Sequence, residues 1–399
     1  MKLVEFVPPV PHPLWKLCPQ MGITDVIVKV NPELTGLPDP WRHETLSTIV
    51  GGLAAAGLRV VGLEGDPFDM SPIKEYGEEG IGNGEEGTGN NRQTVKPSNC
   101  QTAFGTKARE EALARYRELL ESMGRLGIKL LCYNFMVGKG WARTGVRDGR
   151  GGAKATYFSM AEMNSRVERE EHGEYHDDLH GSTRSTRLKL TADQVWANYA
   201  YFIKSVMPTA EKWGIRMGLH PDDPCLPSLG GYARIFGSVE AYDRAYALYP
   251  SPSNAVTFCQ ANFKLMGANL EVAARHFGGR IAFIHVRDVE GTKEDFTELF
   301  HDQGDTDQFA LMRTYRELGL DVPVRGDHVP EMAYDRQLTP EGTPGYFTLG
   351  RLFANGFLQA LLKGTENTVA NVADPKAEIF GKIEDFILEQ VFRNVPPCI

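Results

Sequence analysis

The sequence predicts an α/β protein built as a (β/α)8 barrel (a TIM barrel), with long loops after some strands and a C-terminal helical extension. The first observation is that short, β-branched apolar runs alternate with longer helical patterns along the 399 residues. The second is that these runs are almost continuously apolar, as expected for parallel strands covered on both faces. An open doubly wound sheet is the alternative, but it favours a glycine-rich phosphate turn after an early strand, and the sequence has none.

Eight apolar runs are predicted to be the barrel strands. Eight successive units, each a strand followed by a helix, indicate a closed barrel rather than an open sheet. The predicted strands are residues 2–7, 24–30, 59–63, 128–134, 215–219, 255–258, 281–286 and 322–325.

Helical patterns separate these strands. Clear examples are residues 44–57, 106–126 and 192–213. The last of them is preceded by Thr191, with Gln194 three residues further on. This spacing is typical of a capping box, in which the two side chains satisfy backbone N–H groups at the start of a helix.

Two predicted loops are unusually long. Residues 76–105 are rich in Gly, Asn and Glu, and residues 144–190 are charged. They follow the third and fourth strands, on the face that carries the active site of a barrel, so we expect functional lids or partly disordered segments. His172, His176 and His180 would share a face if their segment were helical, which offers a competing metal site, but a solvated loop is the better interpretation.

The C-terminal segment 364–399 is predicted to be a helical tail of the same domain. It contains an amphipathic pattern at 374–392, which would pack under the barrel or against a second subunit. No internal repeat or linker divides the chain, so residues 1–399 are interpreted as one domain.

Composition and charge restrict the class of function. The net charge of −9 gives no support for a nucleic-acid-binding face, although a small anionic substrate is still compatible with it. No apolar run reaches the length of about 18 residues that a membrane helix needs. The N-terminus has no signal pattern, and the six cysteines lack C-x-x-C spacing. We therefore expect a cytoplasmic protein with free thiols, and neither a nucleic acid nor a membrane as a partner.

Four potential metal ligands occupy equivalent positions on consecutive strands. His220, Cys259, His285 and Asp327 each lie at or just past the end of one of the last four predicted strands. Because adjacent parallel strands are about 4.8 Å apart, side chains from neighbouring strand ends can converge on one point. Imidazole, thiolate and carboxylate all bind first-row divalent ions, and this set suits zinc or iron as readily as manganese.

Each of these residues also has an ordinary structural interpretation. A single histidine at a strand end is more often a satisfied polar residue than a ligand. A free cysteine is commonly an inert buried group, and an aspartate after a strand is often a helix cap. The prediction of a metal site therefore depends on the four residues occurring together.

Several motifs resemble those of the mannonate dehydratases (UxuA-like), a branch of the xylose-isomerase-like barrels. They follow the family's order over most of residues 110–360, and the HPDDP element with the G-G-x-x-R-I that follows it is the most specific. The motifs are CYNFM (132–136), W-x-R-T (141–144), GLHPDDP (218–224), LGGYARIFGS (229–238), FCQAN (258–262), RIAFIHVRDV (280–289), F-x-E-x-x-H (296–301), RGDH (325–328) and PGYFTLGR (344–351).

The resemblance implies a hydro-lyase that converts D-mannonate to 2-keto-3-deoxy-D-gluconate and water, with Mn2+ or Fe2+ as cofactor. The ligand types themselves leave Zn2+ as a further candidate. The resemblance implies that the four residues named above are the metal ligands and that His328 and Tyr346 transfer protons. It also suggests a homo-oligomer, a dimer or tetramer, that acts on a small-molecule sugar acid. The implied substrate-binding residues are Asn134, Arg143, Arg287, His301 and Arg351.

Two other functions are considered. A metal-dependent sugar or sugar-acid isomerase or epimerase on the same barrel is the nearest, although such enzymes generally use more carboxylate ligands and no cysteine. A non-catalytic sugar-acid-binding homologue is the other, and the complete His-Cys-His-Asp set and Tyr346 argue against it. The chain departs from the family pattern at 7–13, 137–141, 288 and 325–329, so the exact sugar acid is left open.

Overall fold

The computed structural model describes residues 1–77, 105–138, 140–171, 190–340 and 342–366, with side chains except at 166–171. Four features predicted from the sequence therefore lie outside the described residues. They are most of loop 76–105, the three histidines at 172, 176 and 180, the tail beyond residue 366, and its helix at 374–392.

The described residues form the predicted barrel. All neighbouring strands of its sheet are parallel. The first strand is interrupted at Val4, so that its first segment pairs with the last strand and its second segment with the second strand, which closes the ring. The strands in order are Lys2–Leu3 with Glu5–Val7, Asp25–Val28, Arg59–Glu64, Leu130–Tyr133, Arg216–Leu219, Asn254–Cys259, Ile281–Val286 and Pro323–Gly326. The predicted fold class is confirmed, and each predicted strand is found within a few residues of its expected bounds.

Helices pack around the barrel. The capping box at the start of Ala192–Trp213 is present: the Thr191 hydroxyl accepts from the Gln194 backbone, and the Gln194 side chain accepts from Thr191 N–H. The three example helices are confirmed. The α-helices are Leu14–Gln20, Pro32–Thr35, His43–Ala55, Ser71–Lys74, Thr106–Arg125, Met160–Glu171, Ala192–Trp213, Val239–Leu248, Gln260–Leu265, Leu270–Phe277, Gln308–Glu317, Asp335–Leu338 and Thr348–Gly364, with 3-10 turns at Arg150–Gly152 and Gly278–Arg280.

The prediction of a continuous loop at 144–190 is wrong for its first part. That part forms two antiparallel strands, which join two strands from the connection after the seventh barrel strand. We call these four strands the side sheet. They are Gly145–Asp148, Lys154–Ser159, Val289–Thr292 and Asp295–Glu298. The pairing joins segments more than 130 residues apart, which no local pattern reveals. A further two-stranded pair joins Ser228–Leu229 and Tyr232–Ala233.

The hydrophobic core has an inner and an outer layer. Small and medium side chains, including Val4, Ile27 and Phe283, pack inside the barrel. A larger cluster lies between the strands and the helices, where burial of apolar area stabilises the closed ring. The filled interior leaves the strand ends as the place for a site. Among the described residues, no helix is long and apolar enough to cross a membrane.

Candidate active site

The four predicted metal ligands meet at the C-terminal ends of the last four strands. Their ligand atoms all lie within 4.8 Å of one another. Cys259 is directly opposite His285 in the parallel pairing of strands six and seven, which brings the two side chains to the same level of the barrel. His220 and Asp327 lie one residue past the ends of strands five and eight. The convergence expected from strand spacing is therefore present.

The two histidines each direct one ring nitrogen into the cluster. His220 Nδ1 lies 2.8 Å from the carbonyl oxygen of Pro221 and donates to it, which leaves the Nε2 lone pair available. His285 Nδ1 is buried without a hydrogen-bond partner and lies 3.8 Å from an Asp327 oxygen. A buried polar atom without a partner is costly in a folded protein. A metal ion would satisfy this nitrogen, so the site fits a divalent cation.

Burial and neighbouring charges keep both histidines neutral. Burial, and then the repulsion that a protonated His285 would exert, lower the pKa of His220 to about 4. Burial and then Arg325 lower the pKa of His285. A neutral imidazole is the form that binds a metal ion, so these two residues are ready to act as ligands near neutral pH.

The pKa values of the thiol and the carboxylate of the cluster are shifted in opposite directions. Burial raises the pKa of Cys259 to about 12, although Arg287 opposes the shift. Its Sγ lies 3.0 Å from Asn262 Oδ1, to which the S–H donates. Burial alone would raise the pKa of Asp327, but His328, Arg325 and other cations outweigh it and lower that pKa well below its usual range. Binding of a metal ion must therefore release the Cys259 proton.

A carboxylate and a guanidinium hold the far side of the His285 ring. Glu64, at the end of the third strand, lies 3.6 Å from His285 Nε2. Arg325 donates to Glu64 at 2.7 Å and pairs with Asp327 at 2.9 Å. Burial opposes the ionisation of Glu64, but Arg325 and His285 lower its pKa to about 2. Because the ring is fixed from behind, its Nδ1 faces the cluster.

The two predicted proton-transfer residues are in direct contact. His328 Nε2 lies 2.8 Å from the Tyr346 hydroxyl, and His328 Nδ1 lies 2.7 Å from a Glu298 oxygen. Burial opposes the ionisation of Glu298, but Arg143 and His328 lower its pKa to about 2, so it accepts from Nδ1–H. In neutral His328, Nε2 therefore accepts from the Tyr346 hydroxyl. The three groups form one hydrogen-bonded chain.

The two site arginines bind carboxylates of the protein. Arg143 forms a bidentate pair with Asp223, at 2.7 and 2.9 Å, and also pairs with Glu298. Arg287 donates to Asp223 at 2.9 Å and to Asp327 at 3.2 Å. Both arginines are at most 2% exposed. Neither arginine lines the cavity, so the structure places both beside the reacting groups rather than in the open space.

The other predicted substrate-binding residues separate into different places. Asn134 lines the cavity, and its Oδ1 accepts from Lys74 at 3.0 Å. His301 is buried behind the seventh strand, with Nε2 2.8 Å from the carbonyl oxygen of Val286. Arg351 donates to the carbonyl oxygen of Phe6 at 2.6 Å and lines a separate outer cavity. Of these three, only Asn134 reaches the space beside the metal cluster.

A cavity of about 160 Å3 lies above the cluster and opens toward a larger outer cavity of about 630 Å3. Trp141 closes one side, with its ring 5.0 Å from the ring of His328. We call the smaller space the inner cavity. It is lined by Phe6, Lys29, Glu64, Gly65, Cys132, Tyr133, Asn134, Met136, Trp141, His220, Asp223, Asp327, His328 and Tyr346. Its size suits a small molecule rather than a polymer.

Sequence reasoning missed several residues of this site. Glu298 and Arg325 stood inside quoted motifs, yet neither was given a role. Glu64 ends the third strand in the same way that the ligands end theirs, so the same rule would have singled it out. Lys29 follows the second strand but belongs to no motif, and no sequence signal separates it from a surface lysine.

Comparisons with known proteins identify the family of the chain. A family model described as D-mannonate dehydratase (UxuA) matches residues 65–372. The mannonate dehydratase of Brachyspira hyodysenteriae is 27% identical over 369 residues, which cover 86% of this chain and 92% of that protein. Mannonate dehydratase 2 of Halalkalibacterium halodurans is 29% identical over 277 residues, covering 65% and 78%.

Solved structures show the same fold. The crystal structure of mannonate dehydratase from Streptococcus suis serotype 2 has a TM-score of 0.72 and 22% identity, and covers 93% of this chain and 95% of that one. An L-ribulose 3-epimerase has a TM-score of 0.51 at 9% identity, with coverage of 93% and 97%. At these identities the likeness concerns the fold alone. The family resemblance predicted from the sequence rests instead on the family model, and it is confirmed.

Proposed function

Because the chain belongs to the D-mannonate dehydratase family, we propose that it dehydrates a sugar acid, D-mannonate, to 2-keto-3-deoxy-D-gluconate. One observation supports this most. The cluster of His220, Cys259, His285 and Asp327 shares its inner cavity with the hydrogen-bonded pair of His328 and Tyr346. A Lewis acid beside a base and an acid is the combination that dehydration next to a carboxylate requires.

The four ligands would hold one divalent ion, Mn2+ or Fe2+, with Zn2+ as a further candidate. The set of two imidazoles, one thiolate and one carboxylate suits ions of intermediate softness. Such an ion, when bound, stabilises the negative charge that develops when a proton leaves the carbon beside a carboxylate. Glu64, which is itself held by Arg325, would keep the His285 ring in its ligand orientation.

His328 is the proposed general base. Its Nδ1 donates to Glu298, so the basic nitrogen is Nε2, which faces the inner cavity beside Tyr346. Glu298 also stabilises the imidazolium that forms when Nε2 takes the C2 proton of the substrate. Arg143 positions Glu298 through its ion pair.

Tyr346 is the proposed general acid. Burial, with a further contribution from Asp327, raises the pKa of its hydroxyl, so the group keeps its proton until it is needed. It donates this proton to the departing C3 hydroxyl, which leaves as water. His328 then returns its proton to the Tyr346 oxygen across their hydrogen bond of 2.8 Å. The enol that is released takes up a proton at C3 and loses the proton of its C2 hydroxyl to solvent, which gives the 2-keto-3-deoxy acid, and both residues are restored.

The remaining predicted residues have narrower proposed roles. Asn134 would bind a substrate hydroxyl from the cavity wall. Arg143 and Arg287 would act through the carboxylates of Asp223 and Glu298 that they hold.

We also propose a single domain and a homo-oligomer, dimer or tetramer, in the cytoplasm. Sedimentation of the full chain tests the assembly.

The test of the activity is a panel of five- and six-carbon aldonic acids. The purified chain is stripped of metal, reloaded with Mn2+ and incubated with each acid, and 2-keto-3-deoxy products are measured. We expect D-mannonate to be converted. Conversion of a different acid would keep the mechanism and change the substrate, whereas epimerised acid without a keto product would replace the dehydratase proposal with an epimerase.

A further inference from the structure

Two of the arginines predicted to bind the substrate are already paired with carboxylates of the protein. Arg143 and Arg287 bind Asp223, Glu298 and Asp327 behind the cavity wall. None of the residues lining the inner cavity is an arginine. A side chain that would add positive charge to that of the proposed metal ion must therefore be sought elsewhere among the described residues.

Lys29 is the lysine that lines the inner cavity. It follows directly after the second strand, Asp25–Val28, so its backbone lies at the active-site end of the barrel. The aliphatic part of its side chain packs against Gly65, where an added Cβ would lie 3.2 Å from Lys29 Cε. Gly65 therefore leaves the space that the lysine side chain occupies beside Glu64. Lys29 also borders the outer cavity, so it stands at the junction between the two spaces.

The ammonium of Lys29 has no ion-pair or hydrogen-bond partner among the described residues. The three carboxylates that line the same cavity are already bonded to guanidinium groups: Glu64 and Asp327 to Arg325, and Asp223 to Arg143 and Arg287. Nearby Lys74 differs from Lys29, because its ammonium is bound by Asp66 at 2.7 Å and by Asn134 at 3.0 Å. The charge of Lys29 is therefore available to a ligand.

We infer that Lys29 binds the carboxylate of the sugar acid and makes the inner cavity selective for anions. The inference rests on the proposed function, because it names the residue that recognises the acid group of that substrate. A partly buried ammonium facing a carboxylate forms a charge-assisted hydrogen bond, which is stronger than a neutral one. Lys29 is thus a specificity residue on the strand-two side, opposite the metal cluster.

The experiment compares an acid with its neutral analogue. The KM and kcat of D-mannonate and the inhibition constant of D-mannonamide are measured for Mn2+-loaded wild type, Lys29→Met, Lys29→Arg and Lys204→Met. Lys204 is an exposed helix residue and is the control for loss of one positive charge. Metal content and thermal unfolding are recorded for each variant, and both should match wild type because Lys29 has no partner to lose.

We expect Lys29→Met to raise the KM of D-mannonate about 10- to 100-fold, the range for loss of a charge-assisted bond, with kcat changed much less. The inhibition constant of the amide should stay nearly constant, and Lys29→Arg should restore part of the selectivity. An unchanged KM in Lys29→Met would overturn the inference. Equal losses for acid and amide would also overturn it, since they would indicate contact with a hydroxyl.

Failure of the proposed function would look different. If wild type converts D-mannonate, an equal kcat/KM in Lys29→Met would refute only the role of Lys29. If wild type shows no turnover, calorimetry measures the dissociation constants of the same two ligands. A Lys29-dependent preference for the acid would then support the inference while the activity fails, and absence of that preference would overturn both.

Discussion

The two halves of the barrel contribute to the site in different ways. Strands five to eight supply the metal ligands and His328, packed in a buried network of ion pairs. Strands one to four, with the residues directly after them, supply half of the fourteen residues that line the inner cavity. Their contributions are Phe6, Lys29, Glu64, Gly65, Cys132, Tyr133 and Asn134.

We call strands five to eight the chemical half of the barrel, because they carry the candidate metal ligands and His328, and strands one to four the recognition half, because they line the cavity. The chemical half uses residue types with few alternatives, because only certain side chains bind a metal or transfer a proton. The recognition half uses an aromatic ring, a lysine and a glycine, which occur throughout any protein. We therefore expect substitutions in the first half to abolish activity and those in the second half to change affinity or selectivity.

The largest effect is expected for Cys259→Ala, which removes one metal ligand from the chemical half. Its Sγ is fully buried in the cluster, so the loss of a ligand should weaken Mn2+ binding by at least about 100-fold and reduce turnover with it. Atomic emission after dialysis measures the bound metal. The matched control is Cys225→Ala, a buried free cysteine outside the cluster, which should keep its metal. Equal metal content in both variants would exclude Cys259 as a ligand.

The next effect is expected for Tyr346→Phe, which removes the proposed acid and leaves the cluster intact. We expect kcat to fall roughly 10²- to 10⁴-fold with normal Mn2+ content, the range for loss of general acid catalysis. Tyr242→Phe is the control, because this buried tyrosine has a hydroxyl with no hydrogen-bond partner. A kcat for Tyr346→Phe within a few-fold of wild type would remove the residue from the mechanism.

A smaller effect is expected where the two halves meet. Glu64, from the third strand, orients His285 of the seventh strand, so Glu64→Gln should weaken metal affinity about 10- to 100-fold. Competition with a coloured chelator measures that affinity. Glu5→Gln is the control, since this buried first-strand carboxylate binds Arg351 and Asn355 instead. Equal affinity for Glu64→Gln and wild type would show that the halves act independently.

The smallest effect is a change in the pH dependence of stability. The pKa of Glu298 is lowered from 4.5 to about 2 in the folded chain. The ionised carboxylate therefore adds to the free energy of unfolding above pH 4.5, and this contribution is lost as the pH falls toward 2. In that window, wild type should take up about one more proton on unfolding than Glu298→Gln. Urea unfolding at several pH values gives the free energy of unfolding of each protein, and the slope of this free energy against pH measures the proton uptake. Parallel slopes would mean that Glu298 is not held ionised by Arg143 and His328.

The sequence predicted the chemical half better than the recognition half. The strand ends and the convergence of the four candidate ligands could be predicted, because apolar runs and ligand types follow narrow physical rules. The partners of Arg143 could not, since Asp223 and Glu298 lie 80 and 155 residues away. The side sheet was missed for the same reason. Lys29 was missed because its proposed role depends on neighbouring carboxylates being paired with arginines, which only the tertiary structure shows.

The central claim is that one metal ion at the His220, Cys259, His285 and Asp327 cluster makes dehydration possible. Its most direct test is a titration of the metal-free chain with Mn2+, in which bound metal and D-mannonate turnover are measured in the same samples. We predict that turnover rises in proportion to occupancy and reaches its limit at one ion per chain. Full turnover by the metal-free chain, or activity that follows a different stoichiometry, would contradict the claim.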